Sequence, residues 1–260
     1  MKKKIIILSG GYSKERAISL NTGREVFKSL KKKHKVKVLD PKGNLIQELR
    51  KFKPDIVFNA LHGRFGEDGY IQALLEKERI KYTHSGVFSS SISIDKELSK
   101  KIFKKNSILT PKSIKLSNTN NINIKGLINK IKKKLKFPVV IKPLNEGSSV
   151  GVYICNKSNL KININKLNLY NEILIEKYIP GREIQAAILG KKKIGAIELI
   201  PSRKFYDYKA KYNKNAKTKH VMPANISIKN YKIVNEIAYK VHRLLKCRGV
   251  SRSDFRFYKN

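Results

Sequence analysis

The sequence predicts an α/β chain that changes character partway, a doubly wound parallel sheet followed by an α+β section. Three observations carry that expectation. Short apolar strands alternate with amphipathic helical stretches over the first ~60 residues. A strand–loop–strand hairpin with no intervening helix follows at 137–155. Beyond it come strand-like runs joined only by Pro-Gly and Gly turns.

Taken in order, KIIIL (4–8) is a buried strand and SGGYS its turn. Ile18, Thr22, Val26 and Leu30, with Phe27 beside them, recur at helical spacing. Lys35–Leu39 alternates as a second strand, Leu45–Phe52 is helical, and Asp55–Ala60 is a third strand. Gly63, Gly66 and Gly69 punctuate the next loop, and a helix carrying Ile71, Leu74 and Leu75 follows. A first domain is expected over 1–95.

Residues 96–135 read as helical and polar, interrupted by Pro111 and an Asn-rich stretch. Phe137–Lys142 is a strand, PLNEGSSVG a loop and Val152–Cys155 the returning strand, giving a central subdomain over 96–171. In 172–260, ILIEKYI, EIQAAILG and KIGAIELI read as an antiparallel meander. Tyr231–Lys246 is a helix with Val234, Ala238, Val241 and Leu245 on one face and Gly249 past its end. Gly249–Tyr258 alternates as a strand with Arg252, Asp254 and Arg256 on one face.

The formal charge is +39 over 260 residues. Lys, Ile and Asn are abundant together throughout, as in NTNNINIKGLINKIKKKLK, which points to compositional drift rather than a nucleic-acid patch with interleaved aromatics. Such a surface favours acidic small molecules, and no specific nucleic-acid partner is expected. No apolar run reaches the ~18 residues of a membrane span, and the apolar run in MKKKIIILSGG is too short for a signal-peptide core. Cys155 and Cys247 lie in no metal spacing and suit a reducing cytoplasm.

Several motifs can carry chemistry. Glu146, Gly147, Ser148 and Ser149 open EGSSVG, a small-residue loop whose backbone N–H groups and hydroxyls can approach phosphate. Lys142 supplies a cation four residues earlier; it is not a Walker loop, since no Gly-Lys-Ser/Thr opens a helix. In GGYSKER, Glu15 can hold a ligand ammonium or favour a helix start. In LHGRFGEDG, His62 can position a ligand or serve as a loop residue, and Glu67 and Asp68 read as helix-start residues. YDYKAKY brings Lys211 and Tyr212 into one loop, and Asp254 with Arg252 reads as half of a hard-metal and anion site.

Together these stretches resemble the D-alanine–D-alanine ligase family, enzymes of the ATP-grasp superfamily that make peptidoglycan precursors. GGYSKERAISL, LHGRFGEDGYIQ, YTHSGVFSSSISIDK, VVIKPLNEGSSVGV, IEKYIPGREI, FYDYKAKY and GVSRSDFR carry the resemblance in order along the whole chain. It implies an ATP-grasp fold behind a Rossmann-like first domain, with D-alanine and ATP as substrates and Mg2+ or Mn2+ as metal. Glu15 would bind the first D-alanine's ammonium, with His62 and Ser148 close by. Lys96 and Lys142 would contact phosphates under the loop of Ser148 and Ser149. Glu176, Lys177, Tyr178 and Ile179 would meet adenine, and Glu183 the ribose. Lys211 and Tyr212 would close over the site, Tyr212 favouring D-alanine as second substrate. Arg252 would stabilise the phosphorylated and tetrahedral species and Asp254 would bind metal.

The resemblance further implies a homodimer through the first domain, and a Glu-x-Asn strand returning after Gly249–Tyr258. That strand is not within residues 1–260, so the metal site is expected to be incomplete, the strand edge unpaired and ligation by this chain impaired. The alternatives are an ATP- or D-alanine-binding protein without ligase activity, and a related ligase using D-lactate or D-serine.

Overall fold

The computed structural model describes residues 1–119, 122–201 and 218–258. The chain divides into two compact units, residues 1–94 with 245–251, and residues 95–244 with 252–260.

In the first unit, β1 (Lys4–Leu8), β2 (Lys35–Leu39) and β3 (Ile56–Asn59) form a parallel sheet in the order β2–β1–β3. Ile5 to Leu8 of the central strand are all buried, which explains an unbroken apolar run instead of alternation. The helices are α1 (Arg16–Leu30), α2 (Leu45–Phe52), α3 (Tyr70–Lys77) and α4 (Val87–Ile94). Ile6, Leu8, Leu45, Leu49, Val57, Leu61, Ile71 and Leu75 form one core. A Cβ on Gly23 of α1 would lie 2.5 Å from Ser9 Cβ, so helix and strand approach at a distance that only glycine allows. Residues 245–251 complete this unit from far along the chain: Ser89 Oγ donates to the Leu245 carbonyl at 2.5 Å. The Arg248 guanidinium lies 4.6 Å from the Tyr82 ring centroid.

The second unit contains two four-stranded sheets. The first has β4 (Ser113–Ser117), β5 (Val139–Pro143), β6 (Tyr153–Cys155) and β7 (Glu172–Lys177) in the order β4–β7–β5–β6, with α5 (Lys96–Lys105), α6 (Ile124–Lys134) and α7 (Leu160–Asn165). Its apolar face joins Val139, Ile141, Ile173 and Ile175 to Leu127 and Ile131 of α6 and Leu160 and Ile164 of α7. The second sheet has β8 (Arg182–Leu189), β9 (Lys192–Ile200), β10 (Lys219–Val221) and β11 (Val250–Phe257) in the order β10–β9–β8–β11. It packs on α8 (Ile228–Leu244) through Ile184, Ala186, Ile188, Val234 and Ala238, with Phe255 and Phe257 of β11 against the same cluster.

Two readings of the sequence need correction. The expected three-strand meander is divided, because β7 pairs with β4 and β5 while β8 pairs with β9. Gly181 does this: at φ +119, with a would-be Cβ 2.2 Å from the Phe257 carbonyl oxygen, it turns the chain out of one sheet against the backbone of the other. The stretch expected to be helical up to 135 contains β4, a strand that Ser113, Lys115 and Ser117 make polar on one side while Ile114 faces the core. Its partner β7 lies about 60 residues away in sequence, so what makes it a strand is not local.

Candidate active site

In the first sheet of the second unit, the face opposite the α6–α7 core carries a cluster of charged groups. Asp95 caps α5, its Oδ1 accepting from Glu97 N (2.8 Å) and Leu98 N (2.9 Å), which places Lys96 at the first helical position and Lys100 one turn on, on the same side. Lys142 of β5 and Glu176 of β7 project from the side of the sheet facing α5. Glu176 sits between two lysines: Oε1 accepts from Lys100 Nζ at 2.6 Å, and Oε2 is 2.5 Å from Lys142 Nζ. Burial raises the Glu176 pKa, but Lys142 and Lys100 outweigh it and hold the carboxyl below its ordinary value. Burial lowers that of Lys100.

Lys96 Nζ donates to the carbonyls of Leu144 (2.9 Å) and Glu146 (2.6 Å), tying α5 to the start of the glycine–serine loop. Burial, and then the charge of Lys142, bring its pKa down to about 8. In the loop, Ser148 (φ +47) and Ser149 (φ +61) are consecutive left-handed non-glycine residues. Such backbone costs about 1 kcal/mol or more per residue and concentrates at ligand clamps. Gly147, Ser148 and Ser149 are half-buried, and the Gly147 carbonyl accepts from Val150 N at 3.0 Å.

β7 runs on into Tyr178 and Ile179, both half-buried, with Lys177 exposed. The Glu176 side chain is committed to the two lysines, so a base meeting this segment would meet its backbone. Glu183, on β8, pairs with Arg256 at 3.2 Å, and Arg256 also donates to the Gly181 carbonyl at 3.1 Å. On β11, Arg252 Nε and Nη2 donate to Asp254 Oδ1 (2.7 Å) and Oδ2 (3.1 Å), and both side chains are exposed. The described residues contain no group of three or more His, Cys, Asp or Glu able to hold a metal. Asp254 offers one carboxylate, which suits a magnesium ion bound chiefly through nucleotide phosphates and water, not a cage of protein ligands.

The first unit gathers the other candidates at the carboxyl ends of its strands, where open α/β sheets bind ligands. Glu15 is 4 % exposed and immediately precedes α1 without capping it. Its Oε2 instead lies against Gly63, 2.8 Å from where a Cβ would be. His62 Nε2 is 3.1 Å from Thr22 Oγ1. Glu67 and Asp68 stitch the loop rather than merely start a helix: they accept from Gly63 N (2.8 Å), Phe65 N (2.9 Å) and Tyr70 N (3.1 Å). A cavity of about 400 Å³ opens here, lined by Gly10, Tyr12, Asn44, His62, Phe65 and Tyr70 among others.

Lys211 and Tyr212 lie outside the described residues. Sequence reasoning missed three residues that organise the site. Lys100 could have been found from its four-residue spacing to Lys96. Asp40 accepts from Gly11 N at 3.0 Å and pairs with Arg16 at 2.5 Å, fixing the Gly-Gly turn. Ser19 accepts from Gly10 N (2.8 Å) and donates to the Ala60 carbonyl (2.7 Å), joining the ends of β1 and β3.

Two four-stranded sheets, the first carrying the glycine–serine loop between antiparallel β5 and β6, following a parallel-sheet unit in the sequence, have the architecture of the ATP-grasp fold. Family models for the C-terminus and the N-terminus of D-Ala–D-Ala ligases match residues 102–260 and 40–85. The D-alanine–D-alanine ligase of Pelagibacter ubique (strain HTCC1062) is 60 % identical over 99 % of this chain and 84 % of its own length. That of Wolbachia pipientis wMel is 44 % identical over 97 % and 79 %. Among solved structures, the D-alanine–D-alanine ligase of Bacillus anthracis superposes with a TM-score of 0.85 at 33 % identity, covering 99 % of this chain and 83 % of that one. The chain belongs to the D-alanine–D-alanine ligase family.

Proposed function

We propose that this protein joins two D-alanines to D-alanyl-D-alanine at the expense of ATP. The first D-alanine's carboxylate attacks the γ-phosphorus, forming D-alanyl phosphate and releasing ADP. The amine of the second D-alanine, as the free base, then attacks the acyl carbon; phosphate leaves and the nitrogen loses a proton. The observation that carries this reading is Lys96 Nζ held by the Leu144 and Glu146 carbonyls at the start of the glycine–serine loop, with the charge of Lys142 close enough to lower its pKa. Phosphoryl transfer asks a protein mainly for such placed cations.

The buried carboxylate of Glu15 is assigned to the first D-alanine's ammonium, with His62 beside its loop. The backbone of Glu176, Lys177, Tyr178 and Ile179 is assigned to adenine, Glu183 to ribose, and Lys211 and Tyr212 to closure over the substrates. Asp254 would share a magnesium or manganese ion with the phosphates, the ion neutralising triphosphate charge, while Arg252 meets the transferred phosphoryl group. The proposal places the reaction in the cytoplasm, in keeping with the two free cysteines. It includes a homodimer, for which the exposed rings of Tyr12, Phe65 and Tyr70 in the first unit offer apolar surface.

D-Alanine labelled with 18O in its carboxyl group tests the reaction. With ATP and magnesium, one label per turnover should appear in inorganic phosphate and a dipeptide should form. Dipeptide with unlabelled phosphate would exclude the acyl phosphate, and no D-alanine-dependent turnover would remove the ligase reading.

A further inference from the structure

We propose that Lys100 is a positioning residue for nucleotide binding, acting through Glu176 to keep Lys142 available as a net positive charge. The inference rests on the ATP-binding reading above. A buried carboxylate 2.5 Å from a phosphate-binding lysine is at first sight a defect, since it both repels phosphate and competes for the lysine. Lys100 resolves it. Its ammonium donates to Glu176 Oε1 (2.6 Å), Thr110 Oγ1 (2.9 Å) and the Pro111 carbonyl (2.6 Å), which uses all three of its protons. The Lys100 side chain is 7 % exposed, so it has neither a donor nor a path left for a ligand. Lys142, at 21 %, is the most exposed member of the triad.

Counting charge, two lysines and one glutamate give +1. Without Lys100 the sum over the triad is zero, and among the described residues Lys142 is left as the one lysine paired directly with the buried carboxylate, Lys96 acting on it only through its charge. A phosphate must then break a tight one-to-one pair in a low-dielectric site, the costly way to disturb a buried charge. Without the Glu176 charge as well, the sum returns to +1 and Lys142 is released. A residue that only supports packing cannot produce this reversal.

The test is calorimetric titration of the full chain with ATP in magnesium chloride, and with adenosine, which has no phosphate. Wild type is compared with Lys100→Met, Glu176→Gln and the double variant. Lys100→Met should weaken ATP about tenfold to a hundredfold and leave adenosine unchanged. The double variant should bring ATP affinity back to within about threefold of wild type. Glu176→Gln alone should bind ATP at least as tightly as wild type, which keeps the test decisive if Lys100→Met does not fold. Parallel loss of ATP and adenosine, a double variant weaker than Lys100→Met, or weakened ATP in Glu176→Gln would each overturn the proposal. If wild type binds no ATP, the nucleotide reading itself falls and this proposal with it, an outcome visible before any variant is examined.

Discussion

The ammonium of Lys96 is 2.6 Å from the carbonyl oxygen of Glu146, so the first residue of α5 holds the first turn of the glycine–serine loop. The cation is needed where it is expensive, since burial and Lys142 hold its pKa at about 8 against an ordinary 10.5. Lys96→Met should therefore lose ATP affinity by about tenfold or more while melting no lower than wild type at pH 7. The penalty on wild type is complete below pH 8, where the folded lysine is charged, and lifts as the pH rises from 8 to 10.5. The wild-type melting temperature should thus gain on the variant across that window, and a gap constant from pH 7 to 10 would contradict it.

Gly63 stands at φ +70 with its open side 2.8 Å from Glu15 Oε2. Gly63→Ala should push that carboxylate aside, raising the D-alanine KM about tenfold or more and costing about 1–3 kcal/mol through the left-handed backbone. The KM for ATP should stay as it was. Steady-state kinetics with each substrate varied separately check it; an unmoved D-alanine KM would remove Glu15 from the substrate.

Asp40 binds the amides of Gly11 and Lys42 and the Arg16 guanidinium. Burial raises its pKa, but the Gly11 amide and Arg16 together outweigh that, leaving it below the ordinary 3.8. Its contribution is complete above pH 3.8 and vanishes as the pH falls through the lower folded value. Asp40→Asn should be about 1 kcal/mol less stable at pH 7. In urea melts the difference from wild type should shrink below about pH 4.

The left-handed pair Ser148–Ser149 predicts an order of stabilities. Ser149→Gly should melt at or above wild type, and Ser149→Val about 1–2 kcal/mol below it, because a β-branched side chain fits that backbone worst. Both lose the hydroxyl, so both should bind ATP more weakly. Equal melting of the valine and serine forms would mean that the loop does not hold this conformation in solution.

What the sequence disclosed follows from the range of the forces involved. β1, β2 and α2 begin and end at the residues read from local periodicity, 4–8, 35–39 and 45–52, because one buried strand or helix face writes its own pattern. β4 does not, since SIKLS becomes a strand only beside β7. The approach of Lys96 to Glu146 spans 50 residues and could be expected only through family resemblance. Lys100 left only its four-residue spacing to Lys96, a weak mark among 58 basic residues. The Arg252–Asp254 pairing was legible from two-residue spacing on one strand, and Glu176 as a bridge between two lysines was not.

The first unit is not contiguous in the gene, and that affects how it is made. Residues 1–94 leave the ribosome in order, but the segment 245–251 that receives Ser89 and stacks on Tyr82 comes about 150 residues later. At ~5–20 residues per second, the nascent sheet waits roughly 8–30 s for its last seven residues. During that interval the Ser89 hydroxyl and the face of Tyr82 lack the groups they meet in the finished unit. Translation speed between codons 95 and 244 thereby sets how long an unfinished domain is exposed to chaperones and proteases.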